Sequence, residues 1–239
     1  MKDKTKTPAE YLASKIRAKE LVENPTVRTP LLLVLDISGS MTGFPLEQLN
    51  LGTKMLLHEI LAHKKAQASV EVCVIVFDHE VQCIREFNNI KSEDDIPEMV
   101  TRGSTTCTGT AVHAALDKLE ERKAEYAERG VEYYRPWMIL ISDGEPYGED
   151  SAITESAIDR IASLTASTDL TSYTVGVGNH INQETLCRFS PENLPLHVDS
   201  PEQFHSLFKW LSTSVIQVAS KKPYYAAPEN VRKWQEFHT

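Results

Sequence analysis

Apolar residues in this chain gather into short unbroken runs, separated by longer stretches in which they recur every three or four positions. That is the pattern of buried strands alternating with helices. The clearest run is Leu31 to Leu35, LLLVL, which ends in Asp36. Val70 to Phe77, Trp137 to Ser142, Ser172 to Gly178 and Leu196 to Val198 read as further core strands. Val81 to Phe87 follows the second strand after only Asp78-His79-Glu80, which predicts a hairpin and an antiparallel edge with His79 in the turn. Helical spacing covers Pro8 to Val22, with Tyr11, Leu12, Ile16 and Val22 near one stripe, and Pro45 to Ala62, with Leu49, Met55, Leu56 and Ile60 toward the sheet. It returns in Thr110 to Arg129, with Val112, Ala115, Leu116 and Leu119 inward and Gly130 as the stop, then in Ala152 to Ala166, Gln183 to Phe189 and Pro201 to Ala219. Lys91 to Met99, rich in Glu and Asp, reads as an exposed face. The pattern predicts an α/β fold: a doubly wound, mostly parallel sheet of six strands with one antiparallel edge strand and helices on both faces.

In such sheets ligands bind beyond the carboxyl ends of the strands, and three of these ends carry oxygen-bearing side chains. Asp36 is followed by Ser38 and Ser40; Thr105 to Thr110 reads TTCTGT before an apolar helix; Ile139 to Pro146 reads ILISDGEP and delivers Asp143. One carboxylate with two hydroxyls is a set of hard ligands suited to Mg²⁺, which wants octahedral oxygen coordination and is rarely enclosed by protein groups alone. Asp or Ser after a strand also serves merely to cap the next helix. Recurrence at three strand ends favours the metal reading.

Asp, Ser, Ser, Thr and Asp in this order, on three strand-to-helix turns, resemble the metal-ion-dependent adhesion site of von Willebrand factor A (VWA) domains, a Rossmann-like family. Asp36, Ser38 and Ser40 match its DxSxS motif, and Asp143 matches its strand-plus-DG motif. The family form G-T-x-x-G-x-A-L aligns with Gly109 and Thr110, with His113 in place of the second glycine and Leu116 closing the motif, so Thr110 is the first choice of threonine and Thr108 the second. The resemblance implies that Asp36, Ser38, Ser40, Thr110 and Asp143 hold Mg²⁺ or Mn²⁺, and that an Asp or Glu of a protein partner completes the shell. Within the family, Phe208, Trp210, Ser212 and Ser214 are similar to the ending of bacterial TerY-like proteins associated with tellurite resistance, which implies a stress or defence setting, often beside a protein kinase and a phosphatase. The resemblance spans residues 29–220. It leaves an N-terminal helical extension, 1–28, and a tail, 221–239, whose Tyr224, Tyr225, Trp234 and Phe237 suit packing on the domain or binding a partner.

Composition narrows the function. A chain of 239 residues with 41% apolar content can build one sizeable core. Its net charge of −9 and the absence of a basic stripe argue against nucleic-acid binding. No apolar run reaches the roughly 20 residues that span a bilayer, and MKDKTKTPAE lacks the apolar centre of a signal peptide, so a cytoplasmic location is expected. Cys73, Cys83, Cys107 and Cys187 form no CxxC pair and read as free thiols, with Cys107 placed where exposure would make it oxidisable. DISGS is not GxSxG, and there is no P-loop or kinase Gly-rich loop, so catalysis is not expected. Two alternatives remain: a Mg²⁺-dependent phosphoryl-transfer or hydrolytic enzyme, and a structural subunit that binds through its C-terminal helix and tail. Near the third turn, Glu145 is placed to tune the site, but its ordinary reading, shared with Glu149 and Asp150, is a solvated loop acid.

Overall fold

The computed structural model describes residues 8–143, 146–178 and 181–220. Glu145, the aromatic tail 221–239 and the side chain of Tyr11 lie outside the described residues. Six strands, β1 (Thr29–Asp36), β2 (Val70–Phe77), β3 (Val81–Asn89), β4 (Trp137–Ser142), β5 (Thr171–Val177) and β6 (Leu196–Val198), form one sheet in the order β3-β2-β1-β4-β5-β6. Every pairing is parallel except β2–β3, so the predicted antiparallel edge is present. Because β1 lies between β2 and β4, the chain winds outward from it in both directions and leaves a switch point at its carboxyl end.

Around the sheet lie α1 (Pro8–Glu23), α2 (Phe44–Ala62), α3 (Lys64–Ser69), α4 (Thr108–Arg129), α5 (Ser151–Ala166), α6 (Gln183–Phe189) and α7 (Pro201–Ala219). Side-chain alternation along β1 divides the core in two. Leu31, Leu33 and Leu35 pack with residues of α2 and α7, whereas Leu32 and Val34 pack with residues of α4 and α5. Phe208 and Trp210 of α7 are buried in the first layer, where Trp210 stacks on Trp137 at 6.2 Å and meets Tyr173 edge-on at 5.2 Å.

Helix α2 crosses α7 at Gly52. A Cβ there would lie 2.0 Å from Cδ2 of Phe208. Gly52→Ala is therefore expected to lower stability by about 1–3 kcal/mol in urea unfolding, although alanine is favoured by about 1 kcal/mol in an open helix.

Several local expectations are corrected. Helix α4 begins at Thr108 rather than Thr110, and the short α3, whose Ala66 is its buried apolar residue, has too little apolar periodicity to be read from sequence. On α1 the expected stripe faces outward: Val22 is 71% exposed and Leu12 and Ile16 are exposed too, while Leu21 is buried at 2%. Residues 91–99 form a loop that is mostly exposed, as expected, except that two of its side chains turn inward. Asn50 on α2 accepts from Met99 N at 2.8 Å and donates to Met99 O at 2.9 Å, and this reciprocal pair draws Met99 inward, with Ile96 also buried.

Two further features sit away from the strand ends that carry Asp36 and Asp143. The edge strand β3 pairs with β2 through two register shifts, and the buried guanidinium of Arg85 fills the irregularity. It donates to the carbonyls of Val72, Asn88 and Asn89, the last two at 3.0 Å. At the start of β2, the buried Glu71 carboxylate receives Arg122 Nε at 2.7 Å, Arg122 Nη2 at 2.8 Å and the Tyr126 hydroxyl at 2.6 Å, and lies 3.0 Å from Arg28 Nε. This cluster ties α4 to the segment entering β1.

Candidate metal centre

Strand β1 delivers Asp36 to the switch point with 0% exposure. Ile37 N donates to Phe77 O at 2.9 Å, so the backbone stays bound to β2 one residue past the aspartate before it turns. Ser38 N then donates to Asp36 Oδ1 at 2.8 Å, and a 3₁₀ turn, Gly39–Met41, brings Ser38 Oγ and Ser40 Oγ to 3.1 Å from each other. From the end of β4, Ser142 Oγ donates to Asp36 Oδ2 at 2.7 Å. Sequence reading missed Ser142, although a buried hydroxyl residue that closes a strand just before Asp143 was its signal.

Burial raises the Asp36 carboxyl from 3.8 to about 6, against the hydrogen bonds from Ser142 and Ser38 that pull it down; the charge of Asp143 adds to the rise. Near neutral pH the metal-free protein thus carries an aspartate charge that its surroundings only partly compensate. A cation beside it would relieve that cost.

The threonine turn lies against the same strand ends. Where a Cβ would stand on Gly39, Gly103 O and Ser104 Cα are 3.7 and 3.8 Å away. Asp78, at the end of β2, accepts from Glu80 N at 2.9 Å and Arg102 N at 3.2 Å, meets His79 Nδ1 at 2.9 Å, and its carbonyl accepts from Cys107 N at 3.1 Å. His79 is thereby a turn residue, as expected. Thr106 exchanges backbone hydrogen bonds with Tyr147, at 2.8 and 3.1 Å, and Thr105 packs on Gly148. Burial pushes the Cys107 thiol above its usual range, which disfavours the reactive thiolate.

The three threonines therefore differ in place. Thr106 is buried in the loop before α4, one residue from the contact with β2. Thr108 is buried with its hydroxyl unpartnered. Thr110 lies in the first turn of α4, where its N and Oγ1 both donate to Glu149 Oε2 at 3.1 Å. Glu149 is consequently not a solvated loop acid, and Asp150 caps α5 by accepting from Ala152 N at 2.9 Å. The structure brings Asp36, Ser38 and Ser40 together and sets Asp143 within reach of the charge on Asp36. The contacts of Thr110 are with Glu149.

The family motif fits a second register. Thr106-Cys107-Thr108-Gly109-Thr110-Ala111-Val112 keeps the second glycine and the alanine of T-x-x-G-x-A-L, and departs from it only at Val112, with Thr105 in place of the first glycine. This register puts the threonine in the loop rather than in the helix.

A doubly wound sheet with a buried aspartate and paired serines at its switch point defines an α/β domain with an oxygen-lined crown. The chain belongs to the von Willebrand factor type A domain family, which it matches over residues 31–210. It is 26% identical over 189 residues to an uncharacterized protein of Synechocystis sp., covering 76% of this chain and 41% of that one. The chain thus spans about two fifths of the length of that relative. Solved structures with the same fold include a von Willebrand factor type A protein from Catenulispora acidiphila (13% identity, TM-score 0.61, covering 80% of this chain and 43% of that one). Another is the vWF domain of the type V pili tip protein Mfa5 from Porphyromonas gingivalis (13%, 0.60, 84% and 99%). A third is proximal thread matrix protein 1 from the mussel byssus with a zinc-occupied MIDAS motif (18%, 0.58, 80% and 48%).

Proposed function

We propose that this chain is a metal-dependent protein-binding module in which a divalent cation, held by Asp36, Ser38, Ser40, Asp143 and a threonine of the second turn, receives an Asp or Glu of a partner. One observation carries the reading: a fully buried aspartate, its charge only partly compensated, beside two serine hydroxyls that face each other. The donors are all hard oxygens, which fit Mg²⁺ or Mn²⁺. The unpartnered hydroxyl of Thr108 adds an oxygen with free lone pairs in the same turn. The set brings two formal negative charges, from Asp36 and Asp143, so the ion would stay electrophilic toward an incoming carboxylate. The zinc-occupied site of the mussel protein supports a cation at this place in the fold.

For the threonine we assign Thr106, in place of Thr110, because the second motif register selects it and Glu149 already engages Thr110. Single Thr→Val changes at positions 106, 108 and 110 separate the three. The Thr106 variant is expected to lose the thermal stabilisation given by saturating Mg²⁺, which amounts to about 2.7 kcal/mol at 100 times Kd, while Thr110→Val retains most of it. The binding reading itself is tested by partner capture in Mg²⁺, in EDTA, and with Asp36→Ala plus Ser38→Ala. Loss in both treatments, with the fold intact by circular dichroism, is expected. Capture that survives both favours a structural subunit, and turnover of a phosphoester favours an enzyme. The setting we propose, a cytoplasmic bacterial stress or tellurite response with kinase and phosphatase neighbours, rests on the TerY-like residues Phe208, Trp210, Ser212 and Ser214. Among the described residues no helix is long and apolar enough to cross a membrane.

A further inference from the structure

Glu149 lies 40 residues beyond Gly109, yet its carboxylate is the hub of the turn that carries the threonines. Oε1 accepts from Gly109 N at 2.7 Å and from Thr154 Oγ1 at 2.8 Å; Oε2 accepts from Thr110 N and Thr110 Oγ1, both at 3.1 Å. The first turn of a helix has backbone N–H groups without intrahelical acceptors, and negative charge is favoured there. Within α4 the usual cap is missing, since its N-cap residue, Cys107, makes no side-chain capping bond. An acid from the β4–α5 loop supplies the cap in trans. The approach is close: a Cβ on Gly109 would stand 2.7 Å from Cα and 2.8 Å from N of Thr154. Just before the helix, Thr106 is sewn to Tyr147 through both backbone groups, and Thr105 packs on Gly148.

We infer that Glu149 is a positioning residue that locks the threonine turn and the loop after Asp143 into one body, so that the second and third sets of metal ligands are presented together. The inference rests on the metal-binding reading. Four donors converge on this carboxylate, so its charge is taken up by the latch. Removing it would strip the first turn of α4 of its acceptor and of its tie to Thr154, while the Thr106–Tyr147 bridge, the DxSxS turn and its bonds to Asp36 stay as they are.

The test uses Mn²⁺ alone as the probe, with binding read by electron paramagnetic resonance, and amide exchange at Gly109 and Thr110 read in the metal-free protein. Glu149→Ala is expected to weaken Mn²⁺ binding about 10–100-fold, the range seen for outer-shell partners, and to expose both amides. Glu149→Gln, which keeps the shape but turns an NH₂ toward donors, is expected to follow it partway, and Thr154→Val to lose less. Gly52→Ala, destabilised at a distance, serves as the control and should keep the parent affinity. Both amides exposed and Mn²⁺ affinity reduced in the Glu149 variants supports the inference; affinity within twofold of the parent overturns it while the metal site stands. A parent that binds no Mn²⁺ overturns the metal reading and this inference together.

Discussion

Replacing Glu71 with alanine is expected to cost about 3–5 kcal/mol, the largest stability loss of any single side chain considered, because it strands two buried guanidinium groups. Arg28 and Arg122 are 0% and 4% exposed, and Tyr126 is buried beside them. Arg28 keeps bonds to the carbonyls of Thr26 and Asn24, but its Nε faces only Glu71. Arg122 retains Glu125 at the rim. Neither arrangement replaces a carboxylate that meets both cations and the phenol. Glu71→Gln keeps the volume and part of the hydrogen bonding, so a smaller loss is expected. Guanidinium unfolding with an unchanged slope is the measurement; a midpoint shift worth less than about 1 kcal/mol for the alanine variant would show that water reaches the two arginines.

The second large effect concerns Asp36. In the metal-free protein its carboxyl titrates at about 6 in the folded state against 3.8 unfolded, with burial as the main cause. A raised folded value means that the native state holds the proton more tightly. This contribution is nil below about 3.8, grows more unfavourable as pH rises toward 6, and costs a constant amount above it. Two units correspond to about 3 kcal/mol, at about 1.4 kcal/mol each. Asp36→Asn removes the charge, its Oδ1 can still accept from Ser38 N, and the Ser142 hydroxyl can turn to accept. The metal-free variant is expected to melt several degrees above the metal-free parent near pH 8, at about 2–4 °C per kcal/mol, and to match it near pH 4. With Mg²⁺ at 100 times Kd the parent gains about 2.7 kcal/mol that the variant does not, so the gap at pH 8 should nearly close. A metal-free variant less stable than its parent at pH 8 would contradict the burial argument.

The six strands and the antiparallel edge were legible because β1 is buried on both faces, which an unbroken run such as LLLVL satisfies, and β2 carries the same signal apart from Glu71. Asp36, Ser38 and Ser40 were legible because three residues of one turn need no tertiary knowledge to be neighbours. The surroundings of the threonines were less legible: which of them lie in the loop depends on where α4 starts, and the acid that accepts from that first turn comes from another loop. Glu149 reads as a solvated charge in any local window, since its donors lie 39 and 40 positions upstream and five downstream. The Glu71 cluster hid for the same reason, as its arginines come from segments 43 and 51 residues away in opposite directions along the chain. On α1 the apolar spacing was real, but the residue that turned inward was Leu21, one position from the stripe.

The irregular margin of the sheet sets how this protein behaves in company. Along β3, two shifts of register break the regular sequence of backbone groups, and Arg85 occupies carbonyls at the break, while the opposite margin is a strand of only three residues. A passing extended peptide finds no straight ladder on either side to continue. Growth by strand addition is thereby discouraged, so concentrated solutions should stay free of fibres.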